Sequence, residues 1–275
     1  MELGRYGVFG RAAVLTPERA RMIESLGYGT VWQGGSPPAG LSHVAAILDA
    51  TSTIKVATGI VNVWTADAAE VARSYHRIEA AHPGRFMLGI GVGHPEAHAA
   101  YRSPYQTLAG YLDVLDAEGV PEGRRILAAL GPRVLKLAAA RTAGAHPYLV
   151  TPEYTRWARG ILGHAPLLAP EQKVLLDSEP ARGRAKAREP VQLHLNLANY
   201  VTNLRRLGYT DADLAAPGSD RLVDDLIHRG TAGEVAARLR AHLEAGADHV
   251  AIQLLTGEDA DPLAGLSTLA EQLFG

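Results

Sequence analysis

Short apolar runs and longer amphipathic stretches alternate along the whole 275-residue chain. The apolar runs show little polar alternation, the pattern of strands buried on both faces rather than strands with one wet side. Residues 3–9 (LGRYGVF) predict a first strand, and TPERARMIESLG a helix with Thr16 as N-cap, Pro17 in the first turn and Gly27 as stop. GTVWQ predicts the second strand, LSHVAAILDATS a helix and IKVATGIVNVW the third strand. The next helix opens on an Asp67/Glu70 capping box and stops at Pro83-Gly84, before the fourth strand RFMLGIGVG. Ser103, Pro104 and Gln106 predict another boxed helix ending at Gly119, RRILAAL is the fifth strand, and Gly131-Pro132 opens the helix after it. PYLVT (147–151) and KVLLD (173–177) predict the sixth and seventh strands, around a helix over EYTRWARGIL. Residues 178–229 read as mostly helical, broken at Pro190 and at the APGSD turn (216–220). A Thr231/Glu234 box starts a helix ending at Gly246, HVAIQLL is the eighth strand, and DPLAGLSTLAEQLF closes the chain as a helix.

Eight apolar strands alternating with helices imply a parallel sheet covered by helices. The expected fold class is therefore α/β, a (β/α)8 TIM barrel, in one domain over residues 1–275 with a mostly helical insertion at about 178–229 between strands 7 and 8. A doubly wound open sheet is the alternative.

Composition narrows the chemistry. Net charge is -2, so no basic field draws the chain to nucleic acid or to an anionic membrane, and a small molecule is the expected partner. With no cysteine, disulfides, thiolate nucleophiles and Cys-based metal sites are excluded, and any redox chemistry needs a bound organic cofactor. The N-terminus carries no basic segment followed by an apolar one, and no apolar run approaches the roughly 18 residues of a membrane span; a cytoplasmic protein is expected.

In a barrel, chemistry gathers at the C-terminal strand ends. Those ends hold Gln33 to Ser36, Gly59 to Trp64, Gly91 to His94, Leu130-Gly131-Pro132, Thr151, Asp177 and Gln253 to Thr256. Few of these ionise. Lys55, Lys136, Lys173 and Lys186 read as strand starts or helix positions, which disfavours imine catalysis, and no H-x-H or H-E-x-x-H spacing suggests a metal. The glycines of the fourth strand fail the dinucleotide fingerprint, since its third glycine would fall on His94 or Glu96. They would let backbone pass close under a flat ring, or, alternatively, relieve crowding inside the barrel. His94, on a loop fixed by Pro95, is the first candidate for a general acid or base, against an incidental loop histidine. Trp32, Trp64, Tyr101 and Tyr105 are candidates to line a substrate pocket, with Trp32 equally a core residue. Arg133, Arg156 and Arg159 would meet an anionic tail, or form a solvated face.

Five stretches, GYGTVWQGG, IKVATGIVNVW, HPGRFMLGIGVGH, RRILAALGPRVLKLAA with RTAGAHPYLVTPE, and HLEAGADHVAIQLL, together resemble the luciferase-like monooxygenase family, and within it the actinobacterial deazaflavin-dependent oxidoreductases. The resemblance implies hydride transfer between coenzyme F420 and a small organic substrate. An FMN-dependent monooxygenase of the same family, a non-catalytic flavin-binding protein and a barrel isomerase using only the phosphate site are the alternatives. It also implies a non-proline cis peptide at Gly59-Ile60 behind the cofactor ring, a phosphate site at Leu130 and Gly131, and further cofactor contacts from Gly35, Gly91, Gly93 and Thr151. Ser36 stands where relatives carry a histidine near the hydride-bearing face, and joins His94 as a catalytic candidate. Tyr154 stands where sugar-phosphate-oxidising relatives carry a lysine, so that substrate class is not implied. A homodimer is expected, because dimers are common among such relatives.

Overall fold

The computed structural model describes residues 1–93, 103–257 and 261–275. His94 and Tyr101 lie outside the described residues. The strands are β1 (Tyr6–Arg11), β2 (Thr30–Gly34), β3 (Lys55–Gly59), β4 (Val61–Asn62), β5 (Phe86–Gly91), β6 (Arg125–Leu127), β7 (Gly144–Ala145), β8 (Leu167–Leu168), β9 (Glu171–Leu175), β10 (Ile227–Arg229) and β11 (Val250–Leu254), and all their pairings are parallel. β3 and β4 are two halves of one stave, interrupted at Ile60; β8 and β9 form another. Leu167 and Ala169 donate backbone N–H groups to β7 and its flank, while Leu168 and Pro170 accept from Asp248 and Ala251 on the other side. Segment 167–175 thus joins both ends of the sheet, and the ring closes as a (β/α)8 barrel rather than an open doubly wound sheet. Sequence patterning gave no sign of β10, which pairs with the C-terminal half of β9.

The sixth strand is Gly144–Ala145, not 147–151. At Gly144 a Cβ would lie 1.9 Å from the carbonyl oxygen of Leu167, so only glycine lets the two strands approach. Downstream, Leu149 takes a left-handed φ of 54° and donates its N–H to the buried Glu171 carboxylate at 3.1 Å, which makes the apolar run PYLVT a loop. The Thr231/Glu234 capping box forms as expected, and Asp67 accepts from Glu70 N–H. Ser103 makes no side-chain cap, and Pro104 alone marks that helix start. Pro190 does not break its segment: the helix Pro180–Leu195 runs through it, held by the burial of Ala187 and Val191. The helices Ala198–Arg206, Asp211–Leu214 and Asp220–Leu226 complete the region before β10.

Three apolar clusters hold the molecule. The largest lies between the sheet and the surrounding helices; a second joins Leu175 and Ile227 of the sheet to the helices of 180–226. The third fills the barrel, where large Phe9, Trp32 and Met87 interleave with small Ala57, Ala169 and Ala251. Among the described residues, no helix is long and apolar enough to cross a membrane.

Candidate functional site

The C-terminal strand ends enclose a cavity of about 610 Å³. Its walls come from Arg11 at the end of β1, Gly35 and Ser36 after β2, Gly59 and Ile60 between β3 and β4, Gly93 after β5, and Leu130 and Gly131 after β6. His146 and Tyr148, after β7, and Gln253 of β11 complete the ring, and His194, Asn199 and Tyr200 of the 180–206 helices reach in from above. No lining residue among those described carries a carboxylate, and Arg11 is the one lining side chain with a fixed charge.

The wall at β3 is shaped by what replaces its hydrogen-bond ladder. Where the stave turns away at Gly59, the Thr58 hydroxyl accepts from Gly89 N–H and donates to Gly89 C=O, both at 2.8 Å. The following peptide bond, Gly59-Ile60, is cis. A Cβ at Gly59 would stand 2.6 Å from the Phe9 ring and 3.3 Å from His146 Nε2, so glycine keeps this surface flat and open. Gly91 does something else: its missing Cβ makes room for the Ile60 side chain, 2.8 Å away.

Below the cavity, aromatic rings are stacked through the barrel. Trp32 lies 4.1 Å from His146, nearly parallel to it, and His146 stacks in turn on Phe9. His146 Nδ1–H donates to Ala169 C=O at 2.6 Å, which leaves Nε2 as a lone-pair acceptor; that atom is buried and unpartnered among the described residues. Desolvation pushes the imidazole down to about 4, so His146 is neutral. Deeper still, Trp32 Nε1–H donates to His249 Nε2, and His249 Nδ1–H donates to Gly4 C=O. On the other flank Lys173 pairs with Glu171 at 3.0 Å and lies 3.7 Å from the centre of the Tyr148 ring. Burial pushes Glu171 up and Lys173 down, each held back by its partner. Burial also raises the Tyr148 phenol, whose hydroxyl donates to Gln253 Oε1 at 3.0 Å.

The wall after β6 is the start of the helix Pro132–Arg141, with Gly131 at the N-cap and no side chain capping it. Its first-turn amides therefore have no protein partner from the cap, and the positive end of the helix dipole meets the cavity. Tyr154 supports this loop from behind, donating to the carbonyls of Ala129 and Leu130 at 3.0 Å. Thr151, expected to face a cofactor, is buried as the N-cap of the helix Pro152–Leu162 and accepts from Tyr154 N–H; it does not line the cavity.

The structure thus gathers Gly35, Ser36, Gly59, Ile60, Gly93, Leu130 and Gly131 around one cavity. Trp32 belongs to the barrel core instead, fully buried beneath the cavity. Trp64 is half-buried and ties its loop to Val92 C=O through Nε1–H at 2.7 Å, away from the lining. Arg159 braces loops at the N-terminal barrel face, through Asp248, Gly246 and Pro166. Asp177 is engaged by Arg182 and Lys186, whose hydrogen bonds hold its carboxyl well below the usual range, and it stays outside the cavity. Arg11, His146, Tyr148, His194 and Tyr200 were not singled out by sequence. His146-Pro147 repeats the His-Pro pairing at residues 94 and 95, a signal hidden once 147–151 is taken as strand. Among the described residues no group of three His, Asp or Glu side chains is placed to hold a metal.

The model of the luciferase-like monooxygenase family matches residues 15–249. The chain belongs to that family. No curated protein matches it. Among solved structures, an F420-dependent secondary alcohol dehydrogenase in complex with an F420-acetone adduct superposes with a TM-score of 0.76 at 14% identity, covering 98% of each chain. The coenzyme F420-dependent tetrahydromethanopterin reductase from Methanopyrus kandleri gives 0.71 at 13% identity over 99% of each chain. The oxygenating constituent of 3,6-diketocamphane monooxygenase from Pseudomonas putida, in complex with FMN, gives 0.67 at 16% identity, covering 97% of this chain and 96% of that one. Luciferase-like proteins with this barrel therefore include both deazaflavin and flavin users, and at such identities the likeness is one of fold.

Proposed function

We propose that this luciferase-like protein is an oxidoreductase that binds the deazaflavin coenzyme F420 in the cavity and uses it for hydride transfer with a small organic substrate. The observation that carries the reading is the pairing of an uncapped helix N-terminus at Gly131 with a cavity lined by glycine and apolar groups and, among the described residues, by no carboxylate. A cavity of about 610 Å³ is of ligand-binding size, and its electrostatics favour a planar group bearing an anionic tail. The resemblance in sequence favours the deazaflavin, and the fold likeness is compatible with deazaflavin and FMN alike.

Coenzyme F420, when bound, supplies a ring carbon that accepts or gives a hydride. The chain's own part is to hold and shield. Leu130 and the first amides of the helix Pro132–Arg141 would receive the phosphate, while Gly59 and Ile60 would offer flat backbone to the ring. His194 and Tyr200 narrow the water path from above. Ser36 is a proton-handling candidate at the rim, and we retain His94, outside the described residues, as a second candidate.

Titrating the purified chain with F420 and with FMN, followed by fluorescence, tests this directly. A Cβ at Gly131 meets nothing within 4 Å, so Gly131→Asp projects a carboxylate into open space without a clash, and Gly131→Ala is the steric control. Gly131→Asp should weaken F420 binding by tenfold or more, roughly 1.4 kcal/mol or greater, and Gly131→Ala hardly at all. Tighter binding of FMN than of F420 would replace the deazaflavin reading with an FMN-dependent monooxygenase.

A further inference from the structure

The cavity has a second polar end. Arg11, Ser36 and Gln253 come from three neighbouring staves, because β1 pairs with β11 on one side and with β2 on the other. The Arg11 stem lies beside Gly35, and no hydrogen bond or ion pair to its guanidinium is made among the described residues. Arg125, Arg141, Arg159 and Arg184 are by contrast each paired with aspartate. The Gln253 amide is oriented: Tyr148 O–H donates to its oxygen, which leaves the NH2 group as donor. Tyr148 is itself fixed from below by Lys173. This end therefore presents a guanidinium fork, an amide N–H and a hydroxyl, with no acid to neutralise them among the described lining residues.

The two anion-attracting ends are on opposite sides of the mouth. Counting staves from β1 through β2, β3 with β4, and β5 to β6 places Gly131 half-way round the ring from Arg11. A ligand group held at the helix N-terminus does not occupy the Arg11 end. Arg11 is exposed at the mouth and is the one fixed charge among the described lining residues, so a group bearing one negative charge matches it.

We propose that Arg11, with Gln253 and Ser36, seats a carboxylate of the substrate, and that this protein acts on organic acids rather than on neutral alcohols or phosphate esters. The inference rests on the reading of the cavity as the reaction site, but not on which cofactor fills the other end. Planar Arg–carboxylate pairing accounts for the geometry, and the amide N–H and the hydroxyl add donors at the flank.

Benzoate and benzamide, alike in shape and different in charge, serve as probes, with binding to the purified chain followed by calorimetry. Arg11→Met keeps the stem and removes the charge, and Arg11→Lys restores a charge without the fork. The wild-type chain should prefer benzoate by about tenfold or more, Arg11→Met should lose that preference, and Arg11→Lys should recover part of it. F420 affinity should stay within roughly twofold of wild type in Arg11→Met, since that tenfold scale belongs to groups touching the ligand. Equal binding of benzoate and benzamide by a folded wild-type chain overturns the proposal. So does a loss of F420 affinity in Arg11→Met as large as that in Gly131→Asp, which would assign Arg11 to the cofactor. If F420 does not bind but an Arg11-dependent benzoate preference is present, the carboxylate seat stands and the deazaflavin reading falls.

Discussion

His146 sits where the packed barrel interior meets the cavity, and its charge state is fixed by that position. Its folded pKa of about 4 lies below the ordinary histidine value near 6.5, because desolvation penalises the imidazolium. Between those two values the unfolded chain binds the proton and the folded chain does not. Stability is therefore fully present above pH 6.5 and is lost progressively as pH falls towards 4, by up to about 3 kcal/mol for this one group. His249, also lowered to about 4, and His242, lowered to about 3, add slopes of the same sign. Comparing urea unfolding of wild type and His146→Gln at a series of pH values isolates the single contribution. The stability gap between them should shift by about 3 kcal/mol in favour of the variant between pH 7 and pH 4; a constant gap would mean that His146 is not held neutral. Sequence reading marked His94 and passed over His146, for a physical reason. Imidazole chemistry is visible in the residue type, but burial and the fixed tautomer come from Ala169 and Trp32, which are distant in sequence.

At the scale of elements, glycines were visible in the sequence while their separate tasks were not. Gly59 of the third strand and Gly93 after the fourth border the cavity, whereas Gly89 and Gly91 serve packing, so the glycines of the fourth strand and its exit divide between cavity wall and core. Strands were legible where side-chain pattern governs them, as in β2, β5 and β11. They were misplaced where backbone approach governs, as at Gly144–Ala145. The contrast is measurable. A Cβ on Gly89 would stand 1.8 Å from Thr58 C=O, at the point where the Thr58 hydroxyl closes the ladder. Gly89→Ala should cost about 3 kcal/mol or more, or prevent folding outright. Gly110 lies on the exposed face of the helix Pro104–Ala117, where an added Cβ meets nothing within 4 Å. Gly110→Ala should instead stabilise by about 0.5–1 kcal/mol. Thermal melts of the two variants separate the two roles, and similar melting temperatures would contradict them.

On the scale of the whole molecule, the barrel supplies the walls and the helices of 180–226 supply the cover. The sequence showed that this region is helical but not that it faces the cavity, since helical periodicity alone does not say which neighbour a face will meet. Its packing is distinct from that of the barrel: Val191, Tyr200, Leu204 and Leu222 form a cluster that meets the sheet through Leu175 and Ile227. A helical unit packed on the rim of the barrel through Leu149, Leu175 and Ile227 is expected to open more readily than strands buried on both faces, and opening it uncovers the cavity. A ligand touching both parts then stabilises the closed arrangement by its own binding free energy. Hydrogen exchange should therefore show amides of Pro180–Leu195 and Ala198–Arg206 exchanging faster than those of β2 and β5 in the free chain. On saturation with the bound cofactor, protection should rise most in those two helices, which carry His194, Asn199 and Tyr200. It should change little in Ser42–Ala50, which contributes no residue to the cavity lining. Uniform protection across all these helices would show instead that cover and barrel open as one unit, with access to the site controlled elsewhere on the rim.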